Sequence, residues 1–161
     1  MSSAAGPASR LARVILEGEP LTRLSALQQE DRDQAVRDLT QESSFAPTHQ
    51  ATGPYILHLS IQEGRLVLDV RDPHDHPLQA FGLALGPFRR LIKDYALLVE
   101  SHEQAVQEGR EARIQAIDMG RRGLHNEGAG LLQERLHGKV QMDLPTARRL
   151  FTLLCVMHRR V

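Results

Sequence analysis

The stretch Tyr55–Val70, YILHLSIQEGRLVLDV, decides the fold. Tyr55, Leu57, Leu59 and Ile61 alternate with other residues, as do Leu66, Leu68 and Val70. Successive strand side chains point to opposite faces, so each set forms one apolar face of a strand. Between them Gln62-Glu63-Gly64 reads as the turn of a hairpin. After Arg71-Asp72-Pro73-His74-Asp75-His76-Pro77, the run LQAFGLAL places Phe81, Leu83 and Leu85 on one face and completes a three-strand antiparallel meander. Such a sheet needs a helical layer to cover it, and the remaining chain supplies one.

Outward from the meander, Arg13-Val14-Ile15-Leu16 reads as a fourth short strand. A polar helix is expected from about Leu27 to Glu42, with Ala35, Val36 and Leu39 on one side. The segment SSFAPTHQATGP, punctuated by Pro47, Gly53 and Pro54, is expected to be a loop. On the other side, Pro87 suits the first turn of a helix in which Phe88, Leu91, Ile92, Tyr95, Leu98, Val99 and Val106 recur at spacings of mostly three and four. Shorter helices are expected from about Glu111 to Met119 and from about Asn126 to His137. KVQMD is a candidate short strand, and Asp143 caps a closing helix with Ala147, Leu150, Phe151, Leu154 and Met157 in one stripe. The expected fold class is α+β: a two-layer domain with an antiparallel sheet of three or four strands covered by C-terminal helices. Residues 1–9 read as a disordered lead and 10–161 as one domain.

Composition narrows the function. The chain has 161 residues and no formal net charge, and no run is long enough to span a membrane. With one cysteine, Cys155, it has neither an internal disulfide nor a multi-thiolate zinc site, which points to a cytoplasmic home. The charge is unevenly placed: residues 1–85 carry 7 Lys or Arg against 11 acids, and residues 86–161 carry 13 against 9. The C-terminal half therefore offers an anion-facing surface.

The blocks SSFAP, GPYILHLSI, GRLVLDVRD, PFRRLIKDY, AIDMGRRGLHNEGA and TARRLFTLLCVMH together resemble the uncharacterised bacterial protein family UPF0262, from roughly Arg10 to His158. The resemblance implies no activity and carries over no catalytic residue.

Function is sought in Asp118–Gly130, DMGRRGLHNEGAG. Gly120 and Gly123 flank Arg121 and Arg122 between two expected helices, and a helix and the short strand follow. That order is similar to the helix, GxxG, helix, strand unit of K-homology domains, in which glycines let backbone approach phosphates. The alternative is a structural corner in which glycine ends one helix and Asn126 caps the next. Arg-Arg pairs recur at Arg89-Arg90, Arg121-Arg122, Arg148-Arg149 and Arg159-Arg160. They either converge on an anion or pair with Asp94, Asp118, Glu127, Glu134 and Asp143.

The leading reading is a non-enzymatic module binding an anionic partner, RNA or a nucleotide, through Gly120, Arg121, Arg122, Gly123, His125 and Asn126. The competing one is a small enzyme for an anionic metabolite, with His125 as acid or base. The third is a structural or regulatory protein docking a partner on the helix Asp143–Met157. His74 and His76, with Asp72 and Asp75, have suitable donors for a metal, but no third or fourth ligand stands at a recognisable spacing, so no metal and no cofactor is expected.

Overall fold

A computed structural model describes residues 8–18, 24–49 and 52–158. Residues 1–7 of the expected lead, and the pair Arg159-Arg160, lie outside them. Strand β1 (Leu11–Leu16) leads to helix α1 (Ala26–Gln41), strand β2 (Phe45–Pro47), and the meander β3 (Tyr55–Gln62), β4 (Arg65–Arg71) and β5 (Pro77–Ala84). A short 3-10 turn, Gly86–Phe88, opens helix α2 (Arg89–Gln107). Helix α3 (Glu111–Arg135), strand β6 (Val140–Met142) and helix α4 (Leu144–Met157) complete the domain.

The α+β class and the meander are as expected. In the sheet order β1-β3-β4-β5, Leu57 lies opposite Val70 and Leu59 opposite Leu68, which in turn faces Phe81. The alternating residues thus meet across strands on the buried face. The fourth strand, β1, joins parallel to β3, with α1 in the connection. A parallel neighbour requires a crossover of this kind.

SSFAPTHQATGP is not wholly loop. Phe45, Ala46 and Pro47 pair antiparallel with Met142, Gln141 and Val140 in a second, two-stranded sheet. Pro47, which has no N–H to donate, stands at the strand's end. The Ser9 carbonyl accepts from the Phe45 amide at 2.8 Å, tying the start of the described chain to this ribbon.

The helical layer includes the N-terminal half as well as the C-terminal one. In α1 a capping box links Ser25 and Gln28, and Leu27, Asp31, Ala35 and Leu39, spaced by four, form the buried stripe. Helix α4 starts as expected, with the Asp143 side chain accepting from the Thr146 amide at 2.9 Å. Its last eight residues are all buried, so it lies inside the helical layer. The stripe thought available for docking a partner is therefore internal.

The largest departure is α3. Asp118–Gly130 forms neither a loop nor a corner: one helix runs unbroken from Glu111 to Arg135, through Gly120 and Gly123. The corner lies earlier, at Gly109, whose φ of +66° ends α2. There the Gly109 amide donates to the Val106 carbonyl and the Arg110 amide to that of Ala105, a Schellman closure. Tertiary packing holds α3 helical despite its glycines. A Cβ on Gly128 would lie 2.5 Å from the Phe151 ring, so the missing side chain is what lets α4 approach.

Candidate functional site

Helical spacing builds the site. Asp31 and Asp38 stand two turns apart on α1, Arg121 and His125 one turn apart on α3, and Arg148 and Thr152 one turn apart on α4, with Arg149 beside them. These side chains, with Gln34 and Ala35, line a polar recess of about 170 Å³ where α1, α3 and α4 meet.

Asp31 is the anchor. It is 7% exposed, accepts from the Tyr95 hydroxyl of α2 at 2.8 Å, and forms an ion pair with Arg121. Burial raises its carboxyl pKa, against the lowering influence of Arg121 and the Tyr95 hydrogen bond. Arg121 also reaches Asp118 on its own helix at 3.2 Å, and Arg149 donates to Asp38 at 3.2 Å.

His125 is 6% exposed and sits near Tyr95 and Phe151, its ring 6.0 Å and 6.1 Å from theirs between centroids. Burial lowers its pKa to about 4, and the charges of Arg121 and Arg148 push the same way. The ring is therefore a neutral imidazole at neutral pH. Its Nδ1 lies 3.5 Å from the Thr152 hydroxyl, which itself donates to the Arg148 carbonyl at 2.9 Å. With that proton committed, the Thr152 oxygen can only accept from Nδ1–H, which leaves Nε2 a bare acceptor.

Three buried nitrogens of this cluster have no hydrogen-bond partner among the described residues: Arg121 Nε, Arg148 Nε and His125 Nε2. Buried polar groups ordinarily find partners, so three orphans on side chains that line one recess single it out as the candidate site.

Of the residues singled out beforehand, the structure brings Arg121 and His125 together, along with Arg148 and Arg149. Arg122, Gly123 and Asn126 lie exposed elsewhere on α3, and Gly120 is exposed beside Leu98. Asn126 caps nothing, being inside a helix. Inside a helix the Gly120 and Gly123 amides are turned into the helix's own hydrogen bonds, so the backbone approach imagined for a GxxG loop is closed. Among the arginines, Arg90 pairs with Asp94 and Glu127. Asp31, Asp38 and Tyr95 were not anticipated as site residues. The signal for Asp31 was an acid at the second position of a four-residue apolar period, where a charge must be paired.

Two other candidates resolve differently. At the β4–β5 turn, Asp72 Oδ1 accepts the His74 amide at 2.8 Å and the His76 amide at 2.9 Å, and Asp72 pairs with the His76 ring. Among the described residues no three His, Cys, Asp or Glu side chains are grouped to hold a metal ion. Cys155 is 3% exposed in α4, and burial pushes its thiol well above the ordinary value. Among the described residues no helix is long and apolar enough to cross a membrane.

No solved structure matches the chain. It is 64% identical over 160 residues to the UPF0262 protein of Granulibacter bethesdensis, covering 94% of this chain and 91% of the relative. The UPF0262 protein of Acidiphilium cryptum is 58% identical over 151 residues, covering 94% and 93%. That of Maricaulis maris is 48% identical over 151 residues, covering 94% of each. The model of the uncharacterised protein family UPF0262 matches residues 8–160. With its meander, its unbroken α3 and its closing α4 all inside that match, the chain belongs to UPF0262.

Proposed function

We propose that this protein is a binding protein for a small oxyanion, a phosphate or carboxylate group held in the α1–α3–α4 recess by Arg121 and Arg148 with Arg149 beside them. The observation that carries the reading is the pair of buried, unpartnered Nε–H donors of Arg121 and Arg148, while the bare Nε2 of His125 can only accept, from a protonated oxygen of the bound group. Arg121 is shared by Asp31 and Asp118 and Arg149 is paired with Asp38, so of the three guanidinium groups lining the recess Arg148 is the one with no ion pair among the described residues. The recess volume of about 170 Å³ accommodates a small anionic group such as the phosphate of a nucleotide. RNA is the less favoured partner, since the residues once read as a phosphate-cradling loop are helical. The single thiol, buried in the core, is in keeping with a cytoplasmic home.

The enzyme reading retains one supporting observation, the bare Nε2 of His125. A pKa of about 4 makes it a weak base at neutral pH, far from the matched value that general-base catalysis favours. Binding is therefore preferred to turnover.

The test is calorimetric titration with inorganic phosphate, adenosine monophosphate and a ten-nucleotide RNA, on wild type, Arg148→Gln and Arg122→Gln. The expected result is saturable binding of phosphate and the nucleotide, about tenfold weaker or worse in Arg148→Gln and unchanged in Arg122→Gln. Indifference to both small anions, or an equal loss in the two variants, would overturn it.

A further inference from the structure

Outside the recess, a cavity of about 390 Å³ lies near the C-terminal end of α4. It is lined by Gly64 of the β3–β4 turn, Leu85 and Gly86 at the end of β5, Arg89, Ile92 and Lys93 of α2, and His158 after α4. The Leu85 amide donates to the Gly64 carbonyl at 3.1 Å, which holds the hairpin turn against the start of α2.

Its chemistry is two-sided. Leu85 and Ile92, 6% and 5% exposed, give it an apolar wall continuous with the core. Arg89 and Lys93, one turn apart on the exposed side of α2, give it two cations, and neither has an ion pair or hydrogen bond among the described residues. Arg90 between them, by contrast, is taken up by Asp94 and Glu127. Among the described residues no carboxylate lines the cavity, and the buried Nδ1 of His158 has no partner.

We infer that this cavity is a second ligand site, which takes a small amphipathic anion: an anionic head on Arg89 and Lys93, and an apolar body against Leu85 and Ile92. The volume falls within the range of small-molecule pockets, and the combination of apolar wall and a few converging polar groups is what such pockets share. The site is independent of the recess: no residue lines both.

The probe is sodium octanoate, titrated into the full chain with acetate and octanol as controls and followed by calorimetry and by amide chemical shifts. Octanoate should bind saturably and move the Gly64 and Gly86 signals. Acetate, which lacks the body, and octanol, which lacks the charge, should each bind at least about tenfold more weakly. The double variant Arg89→Gln with Lys93→Gln alters only exposed side chains, so it should keep the wild-type melting temperature and lose at least about tenfold in octanoate affinity. Arg148→Gln should leave octanoate binding intact and affect phosphate alone. The inference is overturned if octanol or acetate matches octanoate, if the double variant binds octanoate as wild type does, or if Arg148→Gln abolishes octanoate binding. It is equally overturned if phosphatidylglycerol vesicles are bound while free octanoate is not, which would make the cationic edge a membrane contact.

Discussion

Arg121 of α3 pairs with Asp31 of α1 across ninety positions of sequence, and the Tyr95 hydroxyl of α2 completes the arrangement at 2.8 Å from the same carboxylate. Three helices thus meet on one buried charge. Removing one partner of a buried pair strands the other in a poorly solvating place, so Asp31→Ala should cost about 3–5 kcal/mol. Replacing both, as Asp31→Leu with Arg121→Met, should cost clearly less than the two single changes together. Urea denaturation of the three variants measures this, and strictly additive losses would show that the pair is not energetically coupled.

The glycines of α3 separate a helix from a loop by their response to alanine. Gly123 is exposed, and an added Cβ would meet no atom within 4 Å, so Gly123→Ala should stabilise the protein by about 1 kcal/mol through helix propensity. Gly128→Ala should do the opposite by about 1–3 kcal/mol, because the new methyl meets the Phe151 ring in the close α3–α4 contact. Thermal melts of both variants decide it. Destabilisation by Gly123→Ala would return that position to a turn.

These glycines also show where the fold was legible in sequence and where it was not. The meander could be read because period-two alternation survives in both the pattern and the pairing, as at Leu59, Leu68 and Phe81. The starts of α2 and α4 could be read from Pro87 and Asp143, residues whose local chemistry suits a helix beginning. Gly120 and Gly123 misled because the reading weighed local propensity alone, whereas Leu124, Ala129 and Leu132 bury α3 against its neighbours. The helix-ending glycine was Gly109. Of the candidate site, Arg121 and His125 were legible as residue types, but their partners were not: Asp31 and Arg148 come from helices far away in sequence, and nothing local announces that they meet.

His125 makes stability depend on pH in a definite direction. Its folded-state pKa, about 4, lies below the ordinary 6.5, so between those values the unfolded chain binds the proton more readily than the folded one. Stability from this residue is therefore present above about pH 6.5 and lost as pH falls toward 4, by up to ~3 kcal/mol. Asp31 acts with the opposite sign just above pH 3.8, because its raised pKa lets the folded state take up a proton first. Comparing wild type with His125→Gln by urea denaturation at pH 7, 5.5 and 4.5 cancels Asp31 and isolates the histidine. Parallel acid losses in the two proteins would mean that His125 is protonated in the fold.

On the far side of the sheet, His58 ties two loops together. Its β3 neighbours Leu57 and Leu59 face the core, while its ring, nearly buried, contacts Glu17 after β1 through Nδ1 and Asp75 of the β4–β5 turn through Nε2 at 2.9 Å. Asp75 holds a φ of +68°, a conformation that aspartate tolerates better than most residues, and Arg71 binds its other oxygen at 3.2 Å. The His58 hydrogen bond is the main reason the Asp75 carboxyl is held below its ordinary pKa. With both contacts removed, His58→Ala should speed amide exchange across residues 72–76 and at Glu17. Asp75→Ala should loosen the turn alone and leave Glu17 protected, since the His58 ring still reaches it. Hydrogen exchange resolved by residue distinguishes the two, and unchanged protection of the turn in His58→Ala would show that the histidine is a passenger there and Arg71 the restraint.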